Sequence, residues 1–276
     1  MLTASIVLYN TPRQQIEGVF NSVLQGGVDV IYIVDNSPSD RWRILEREYG
    51  EKIPIRYIHN ENLGYGASHN LAMEEAIEQG STYHIVLNPD IRFDQDVLPS
   101  LIDFMDTHPD ASYVLPKVVY PDGELQHLCK LLPTPTDLIF RRFLPKSPWT
   151  ERKNRRYTLQ DSGYGMIMNP PCLSGCFMFL RLSTLVEHGI FFDDRYFMYC
   201  EDFDLIRRLH RVSKTLFYPD VTIIHDHAKE SYKSKKMLFA HIKSAVRYFN
   251  KYGWFFDSER KKMNQKILEE IALIQN

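Results

Sequence analysis

The chain has 276 residues, of which 44% are hydrophobic and 25% are charged, and its formal net charge is -2 at pH 7. This composition is typical of a globular protein with one large or two small domains. The near-neutral charge gives no support for nucleic-acid binding, and no apolar run approaches the ~20 residues that a membrane span needs.

The amino-terminal stretch and the cysteines indicate the compartment. "MLTASIVLYN" lacks the basic and long apolar regions of a signal peptide and is predicted to be a strand. The cysteine spacing fits no common zinc motif and no secreted disulfide framework, so we expect reduced, partly buried thiols. A cytoplasmic protein is the simplest interpretation. The cysteines are Cys129, Cys172, Cys176 and Cys200.

Strands and helices alternate from the amino terminus to about residue 107. The apolar runs "TASIVLYN", "VDVIYIVDNS", "IRYIHN" and "YHIVLNPD" predict four strands. Between them, apolar residues at i, i+3 and i+4 spacing predict amphipathic helices. Because the strands are continuous apolar runs rather than alternating ones, they are predicted to be parallel and covered by helices on both faces.

Each of these four predicted strands ends in polar residues. The carboxyl ends of parallel strands meet at one edge of the sheet, where ligands bind in such folds. A single polar ending is an ordinary turn, whereas four at the same edge indicate a site. The endings are Tyr9-Asn10, Asp35-Asn36, His59-Asn60 and Asn88-Pro89-Asp90.

The chain changes character after about residue 110. "SYVLPKVVYPDGELQ" predicts two short strands around a Pro-Asp-Gly turn, and "CLSGCFMFL" and "KTLFYPDVTIIHDH" predict further strands. Residues 130–156 are irregular and basic, which fits either a solvated surface loop or a mobile loop that contacts an anionic ligand. From about residue 233 the pattern is helical and strongly basic.

Some residues near the strand ends have two interpretations. Asp35 either accepts a hydrogen bond from a base or ribose, or forms an Asx turn with Ser37. Gly64 and Gly66 either allow close approach of a ligand or form an ordinary turn before a helix. A Gly-x-x-x-x-Gly-Lys loop and a glycine triplet after the first strand are both missing, which argues against phosphate-loop and dinucleotide-binding proteins.

A carboxylate and two histidines at strand ends are candidate metal ligands. Asp90 offers the hard oxygen that Mg²⁺ or Mn²⁺ prefers when the ion also binds phosphate oxygens. His225 and His227 follow an apolar strand and point the same way, because they lie two residues apart. A lone histidine is usually structural, but one at an edge that already carries Asp90 is a fair metal ligand.

Three acids, Glu201, Asp202 and Asp204, fall within four residues near the start of a predicted helix. Complementing the helix dipole explains one or two of them. The aromatic run that precedes them favours a second interpretation, since a carboxylate in aromatic surroundings can act as a general base.

Seven motifs in order resemble glycosyltransferase family 2, most closely its bacterial rhamnosyltransferase-type members. The resemblance covers about residues 4–257 and implies the GT-A fold, an α/β nucleotide-binding sheet joined to an acceptor-binding part. It implies a domain over 1–230, divided into a nucleotide-binding half (1–110) and an acceptor-binding half (111–230), followed by basic amphipathic helices (231–276). The motifs are "SIVLYN", "IVDNS", "NENLGYGASHN", "VLNPD", "LSGCFMFLR", "FFDDRYFMYCEDFDLIRRL" and "IIHDHAKES".

The resemblance also implies roles for matching residues. Asp90 would hold a divalent metal on the donor diphosphate, and Asn88 replaces the first acid of the family's Asp-x-Asp motif, so one charged ligand is lost. His225 matches a position that completes metal coordination. Asp202 would be the base that deprotonates the acceptor hydroxyl, with Glu201 as the alternative. The residues implied for nucleotide binding are Tyr9, Asn10, Asp35, Asn62, Gly64, Asn70 and Asn88.

The function implied by the resemblance is an inverting, metal-dependent glycosyltransferase that uses Mn²⁺ or Mg²⁺. The donor would be a dTDP-sugar, in particular one carrying rhamnose, or a UDP-sugar, and the acceptor a glycan or lipid-linked glycan in cell-surface polysaccharide synthesis. One alternative is a sugar nucleotidyltransferase, which usually needs a glycine-rich basic loop after the first strand. The other alternative is a non-catalytic sugar-nucleotide-binding scaffold.

The basic carboxyl-terminal segment, residues 229–262, has ten Lys and Arg but three acids. It fits a packed helix with a solvated basic side, or a helix lying on an anionic membrane with aromatic residues at the interface. The second interpretation predicts peripheral association with the inner face of the membrane. The apolar residues predicted near one helix face are Met237, Leu238, Ile242, Val246 and Phe249, and the interfacial aromatics are Trp254, Phe255 and Phe256.

Overall fold

The computed structural model describes residues 1–138, 147–226 and 235–274, and these form an eight-stranded sheet with helices around it. The strands are β1 (Leu2–Leu8), β2 (Val30–Asp35), β3 (Ile55–His59), β4 (Tyr83–Leu87), β5 (Ile91–Arg92), β6 (Ala111–Val119), β7 (Phe177–Arg181) and β8 (Lys214–His225). The α-helices are α1 (Arg13–Gln25), α2 (Ile44–Tyr49), α3 (Tyr65–Glu78), α4 (Val97–Thr107), α5 (Pro148–Tyr157), α6 (Leu182–His188), α7 (Glu201–Leu209), α8 (Lys235–Tyr252) and α9 (Ser258–Ile274).

The strands lie in the order β3-β2-β1-β4-β7-β6-β8-β5. β1 pairs in parallel with β2 and β4, and β2 pairs in parallel with β3, which confirms the predicted parallel half. β7 is antiparallel to both β4 and β6, and β8 is parallel to β6 and antiparallel to β5. The chain leaves β1 toward β2 on one side and returns to β4 on the other, so β1 marks a switch point where ligands bind in open α/β sheets.

The central strands are buried on both faces, as their continuous apolar sequences predict. Every residue of β2 and β4 is buried, and α3 packs against β1, β2 and β4. A buried polar chain lies beneath α3: Ser5 Oγ is 2.7 Å from His69 Nδ1 and 2.8 Å from His84 Nε2. Thr3 Oγ1 lies 2.8 Å from the other ring nitrogen of His84, so these polar groups are hydrogen-bonded despite burial.

The prediction of two short strands around the Pro-Asp-Gly turn is wrong in part. β6 is present, but the returning segment makes only a single bridge, between Val119 and Leu125. The turn itself forms, since Tyr120 N donates to Glu124 O at 2.8 Å. Gln126 N also donates to Val118 O at 2.8 Å, and the Gln126 side chain reaches β8, where it donates to His225 O at 2.7 Å.

The predicted carboxyl-terminal helices are confirmed as α8 and α9, and both pack on the rest of the protein. Ile267 and Ile271 of α9 join the main core, and Tyr248 and Phe249 of α8 join a second apolar cluster. No helix within the described ranges is long and apolar enough to cross a bilayer. None of the four cysteines forms a disulfide, and all four are buried. The predicted boundaries at residues 110 and 230 stay predictions.

Candidate active site

The carboxyl ends of β1, β2, β3 and β4 meet at one edge of the sheet, as predicted. Leu8 pairs with Asp35, and Asp35 pairs with His59, so three of these strands end in register. The loops beyond them are tied together, because Asn10 N donates to Ser37 Oγ at 2.9 Å. This edge, with β5 and the amino terminus of α7 beside it, is the candidate active site.

Asp90 and His225 form one end of the site. The antiparallel pairing of β5 with β8 sets Ile91 opposite His225, and Asp226 N donates to Asp90 O at 3.0 Å. Oδ1 of Asp90 is buried, accepts no hydrogen bond from the described residues and lies 3.4 Å from His225 Nε2. The structure therefore brings together the two residues predicted to bind metal. His227 lies outside the described residues.

Gln126 orients the His225 ring. His225 Nδ1 lies 3.0 Å from Gln126 Oε1, so Nδ1 carries a proton that it donates and Nε2 faces Asp90. Burial opposes protonation of His225, but the neighbouring Cys176 and Asp90 outweigh burial and raise its pKa to about 10. Metal-binding histidines commonly donate their other ring N–H in this way. Sequence analysis missed Gln126, because in the sequence it is simply a polar residue next to a turn.

Two ligands of an octahedral ion, each about 2.1 Å from it and at right angles, are about 3 Å apart. The Asp90–His225 distance of 3.4 Å fits that arrangement. No cluster of three or more His, Cys, Asp or Glu side chains suited to a metal occurs in residues 1–138, 147–226 and 235–274. The described residues thus offer two ligands, which suits an ion that also takes oxygens from a diphosphate and water.

Asn88 is engaged with Tyr65 rather than with Asp90. Its Oδ1 lies 2.9 Å from Tyr65 Oη, which is also 2.8 Å from Gly175 O. Gly175 N in turn donates to Asp202 Oδ2 at 3.2 Å. A chain of contacts therefore connects the loop after β4 with the acids of α7. Tyr65 was not predicted as a site residue, because a tyrosine at a helix start has no distinctive pattern.

Glu201 and Asp202 form the other end of the site, at the amino terminus of α7. The two residues before them, Tyr199 and Cys200, have φ of 68° and 63°. This left-handed conformation costs about 1 kcal/mol or more per non-glycine residue, and such strain concentrates at functional sites. This conformation turns the chain sharply, so that both acids begin the helix beside Gly175. Any side chain in place of Gly175 would put its Cβ 3.0 Å from the Asp202 Cβ.

The two acids differ in their hydrogen bonds. Asp202 accepts from the backbone N–H of Phe203 at 2.9 Å and from that of Gly175, whereas Glu201 Oε2 accepts no hydrogen bond from the described residues. Burial raises the pKa of Glu201 well above its usual range, and the charge of Asp202 adds to the rise. Burial also raises the pKa of Asp202, but Lys130 and the backbone donors oppose that rise. The pKa of Glu201 is therefore raised more strongly than that of Asp202, so Asp202 is the first of the two carboxyls to ionise.

Lys130 is a third site residue that sequence analysis missed. Its ammonium lies 5.4 Å from the centre of the Phe203 ring, next to Asp202. Gln126 contacts His225 and Lys130 influences Asp202, so residues 126–130 pass along both ends of the site. In the sequence, Lys130 was one member of a long basic segment. Arg141, Arg142 and Lys146 of that segment lie outside the described residues.

Asp204, the third acid, points away from the site. It is fully buried, and Arg208 Nε and Lys251 Nζ pair with its two oxygens at 2.8 and 2.6 Å. Tyr252 Oη also donates to it at 2.8 Å. The three adjacent acids therefore separate into a pair at the site and one that connects α7 to α8.

Several residues predicted to bind nucleotide have structural partners. Asp35 is fully buried, accepts from Ser37 N at 3.0 Å and from Tyr57 Oη at 2.6 Å, and so forms the Asx turn. Tyr9 is 50% exposed, and Asn10 has φ of 52°. These residues lie at the strand-end edge, and their roles toward a nucleotide stay predictions.

The glycine-bearing turn before α3 contacts the loop before α7. Gly64 has φ of 95°, and a Cβ there would lie 2.1 Å from Phe197 O. Glycine is therefore needed at this position to let the two loops come into close contact. Asn62 Oδ1 accepts from Gly64 N at 3.1 Å. Asn70 Nδ2 donates to Phe192 O and Asp194 Oδ1 at 2.9 and 2.7 Å, so the structure directs Asn70 to this loop.

The fold and the site define an α/β protein with polar residues at the carboxyl ends of its parallel strands and a carboxylate, Asp90 or Asp202, at either end of that edge. The chain belongs to the family described as glycosyl transferase family 2, which matches residues 3–181. This confirms the family resemblance. The matched range includes β4, which precedes Asp90, and β7, and it ends before Asp202 and His225.

Two curated relatives are similar to this chain. An N-acetylglucosaminyl-diphospho-decaprenol L-rhamnosyltransferase of Mycobacterium tuberculosis is 28% identical over 198 residues, which are 66% of this chain and 62% of the relative. The rhamnosyltransferase WbbL of Escherichia coli is 27% identical over 235 residues, covering 77% of this chain and 84% of WbbL. The chain thus spans less than two thirds of the mycobacterial relative.

Solved structures share the fold. S. aureus TarS 1–349, solved with UDP-GlcNAc, superposes with a TM-score of 0.60 at 15% identity, covering 97% of this chain and 71% of that one. GalNAc-T7, solved with UDP, GalNAc and Mn²⁺, gives a TM-score of 0.64 at 14% identity, covering 90% of this chain and 47% of that one. Together with the family membership, these neighbours confirm the GT-A fold.

Proposed function

We propose that this protein is an inverting glycosyltransferase that moves a sugar from a nucleoside-diphosphate donor to an acceptor hydroxyl. The observation that carries the proposal is the position of Asp202. Its carboxyl group accepts hydrogen bonds from two backbone N–H groups, and contacts through Gly175 and Tyr65 connect it with Asn88, next to Asp90. Family membership supports the same activity.

The chain's own residues supply positioning and proton transfer. Asp202 accepts the proton of the acceptor hydroxyl as that oxygen attacks the anomeric carbon from the face opposite the leaving nucleoside diphosphate. Glu201 keeps its proton to higher pH than Asp202 does, which leaves Asp202 as the base. A single displacement of this kind inverts the anomeric configuration. Lys130 keeps Asp202 ionised and places positive charge beside the reacting groups.

We propose that Asp90 and His225 hold a divalent metal, Mn²⁺ or Mg²⁺. The buried Asp90 oxygen without a hydrogen-bond donor and the separation of the two side chains support this assignment. Such an ion, when bound, neutralises charge that develops on a leaving diphosphate. Asn88 is neutral, and its side-chain oxygen already accepts a hydrogen bond from Tyr65 Oη. The affinity for the metal therefore depends on Asp90, His225 and the donor itself.

The names of the relatives narrow the range of substrates that we propose for this protein. Two of them are named as rhamnosyltransferases, and one acts on a diphospho-decaprenol-linked sugar by its name. We therefore propose a dTDP-sugar donor carrying rhamnose, with UDP-sugars as the alternative, and a glycan or lipid-linked glycan acceptor in cell-surface polysaccharide synthesis. We also propose that the protein works in the cytoplasm at the inner face of the membrane, where such acceptors are anchored.

The first experiment is a thermal-shift series with dTDP and UDP, with and without Mn²⁺. A ligand at 100 times its Kd stabilises the folded state by about 2.7 kcal/mol. A metal-dependent shift with one nucleotide would support the transferase and identify the donor class. A shift that does not depend on metal would overturn the metal proposal. No shift with either nucleotide would favour the non-catalytic scaffold.

The assignment of the base is tested by two isosteric variants at adjacent positions. Asp202→Asn should lower turnover of the donor and acceptor by about 100- to 10,000-fold, while nucleotide affinity changes by less than about threefold. Glu201→Gln should lower turnover far less, because Glu201 is the second of the two carboxyls to ionise. Nucleoside-diphosphate release from dTDP-rhamnose or a UDP-sugar measures both. If Glu201→Gln is the more damaging change, Glu201 is the base instead.

A further inference from the structure

A stripe of exposed apolar side chains runs along α8. Phe239, Ile242 and Val246 are 70%, 45% and 40% exposed, and their spacing of three and four residues puts them on one helix face. Asn250 continues the same face, and its Oδ1 accepts from Trp254 Nε1 at 2.8 Å. From Phe239 to Val246 the stripe extends about 10 Å along the helix.

The stripe and Phe249 lie on similar sides of α8 by their spacing, as the sequence predicts, but they differ in exposure along the length of the helix. Phe249 is buried to 2% exposure, together with Ser244 and Tyr248. Ile242 and Val246, which the sequence grouped with Phe249, are exposed. Because Tyr248 and Phe249 already anchor the helix, the stripe contributes little to packing within the described structure. Exposed apolar patches of this kind commonly mark interaction surfaces.

A basic cavity adjoins the stripe. Its volume is ≈ 400 Å³, and Val246 belongs both to the cavity wall and to the stripe. Four of its six lining side chains are cationic and none is acidic. The lining residues are Arg195, Lys243, Val246, Arg247, Asn250 and Lys251.

Two of the four cations have acidic partners and two do not. Arg195 and Lys251 pair with Asp193 at 2.6 and 2.9 Å. Lys243 and Arg247 make no ion pair with any residue in 1–138, 147–226 or 235–274; Arg247 lies 5.9 Å from the Tyr196 ring centre. The cavity therefore keeps net positive charge, which suits a phosphate group.

We propose that this α8 surface, defined as the exposed stripe Phe239, Ile242 and Val246 with the adjoining basic cavity, docks onto the anionic face of a phospholipid bilayer. A lipid phosphate occupies the cavity, and the stripe enters the boundary between headgroups and acyl chains. This deepens the proposed membrane location and rests on it. A bilayer is favoured over a soluble anion because only a bilayer covers the apolar stripe while it neutralises Lys243 and Arg247.

The test is co-sedimentation with vesicles of phosphatidylcholine alone and with 30% phosphatidylglycerol added, using the full chain. Wild type should bind the anionic vesicles only. The double variant Lys243→Gln/Arg247→Gln removes two cations, each worth about 1 kcal/mol near an anionic surface, and should bind about 30-fold more weakly. The control Lys261→Gln/Lys262→Gln removes the same charge from exposed positions of α9 and should change binding by less than about threefold.

The apolar half of the proposal has its own pair of variants. Ile242→Ser should weaken binding to the anionic vesicles by about tenfold, whereas Leu273→Ser, at a 78% exposed position of α9, should not. Equal binding by Lys243→Gln/Arg247→Gln and its control would overturn the proposal. So would a thermal shift with inorganic phosphate that equals the shift with anionic vesicles, since the cavity would then be a soluble-anion site.

Nucleotide binding separates this proposal from the proposed function. Thermal shifts with dTDP, UDP and Mn²⁺ should be the same for wild type and the α8 variants, because none of these residues lies at the strand-end edge. Vesicle binding without any nucleotide shift would mean that the transferase proposal fails while the docking surface stands. Nucleotide shifts without vesicle binding would overturn the docking surface alone.

Discussion

The two carboxylates of the candidate active site are held by different interactions. Asp90 follows a buried strand, and main-chain pairing of β5 with β8 sets its position. Asp202 begins α7, and α7 is held by ion pairs to the carboxyl-terminal helices. Arg207 of α7 is 1% exposed and pairs with Asp257 and Glu259 at 2.8 and 2.6 Å.

This difference shows what each end of the site depends on. The Asp90 end depends on sheet hydrogen bonds and apolar burial, with a neutral His–Ser chain under α3. The Asp202 end depends on charges in α8 and α9, which lie about fifty residues further along the chain. A change in the carboxyl-terminal helices should therefore disturb the base and leave the metal ligands in place.

Arg207→Met gives the largest expected effect. It leaves Asp257, which is 3% exposed, without its principal partner, and uncompensated buried charges cost about 3–5 kcal/mol of unfolding free energy. Urea denaturation measures the change. Arg211→Met is the matched control, because Arg211 pairs with the same Glu259 but is 41% exposed, and it should cost less than about 1 kcal/mol. Equal costs for the two would contradict an ionic attachment of α7.

Gln126→Leu should weaken the metal end without unfolding it. The His225 ring loses the partner that fixes its orientation, and such losses lower metal affinity by about 10- to 100-fold. The Mn²⁺ concentration needed for a nucleotide-dependent thermal shift measures the change. Gln79→Leu, at an exposed position after α3, should leave that concentration unaltered. A Gln126→Leu protein with wild-type Mn²⁺ response would show that the side chain has no part in metal binding.

The buried histidines of the sheet half predict a smaller, pH-dependent effect. Burial lowers the pKa of His84 to about 3, whereas the unfolded chain takes up that proton near pH 6.5. The contribution of His84 to stability is therefore complete above about pH 6.5 and is lost as pH falls toward 3. Between pH 7.5 and 5.5 wild type should lose about 1.4 kcal/mol more unfolding free energy than His84→Gln.

Urea denaturation at the two pH values measures this difference, and the comparison between proteins cancels the other titrating groups. Ser5→Ala provides the control. It removes a hydrogen-bond partner of His84 without removing a titrating group, so it should lower stability at both pH values and keep the wild-type pH slope. An unchanged slope in His84→Gln would mean that the folded protein protonates His84 near the same pH as the unfolded chain.

Sequence reasoning predicted the edge of the sheet better than the contacts made there. Asp90 and His225 were predicted as a pair because each follows an apolar strand, and strand ends are readable from local patterns. Asn70 was assigned to the nucleotide by resemblance, yet its amide binds Phe192 and Asp194 more than 120 residues away. Local patterns do not encode such partners, so Gln126 and Tyr65 were missed for the same reason.

The sequence by itself determined the parallel strands, the polar edge at their ends, the two predicted metal ligands and the family. Each follows from short-range periodicity or from motifs in order. Only the tertiary structure decided that Asp204 leaves the acidic group to bind Lys251, and that Ile242 and Val246 of α8 are exposed while Phe249 is buried. Neighbouring residues with the same chemistry differ in this way because burial and charge pairing depend on which distant segment packs against each part of a helix.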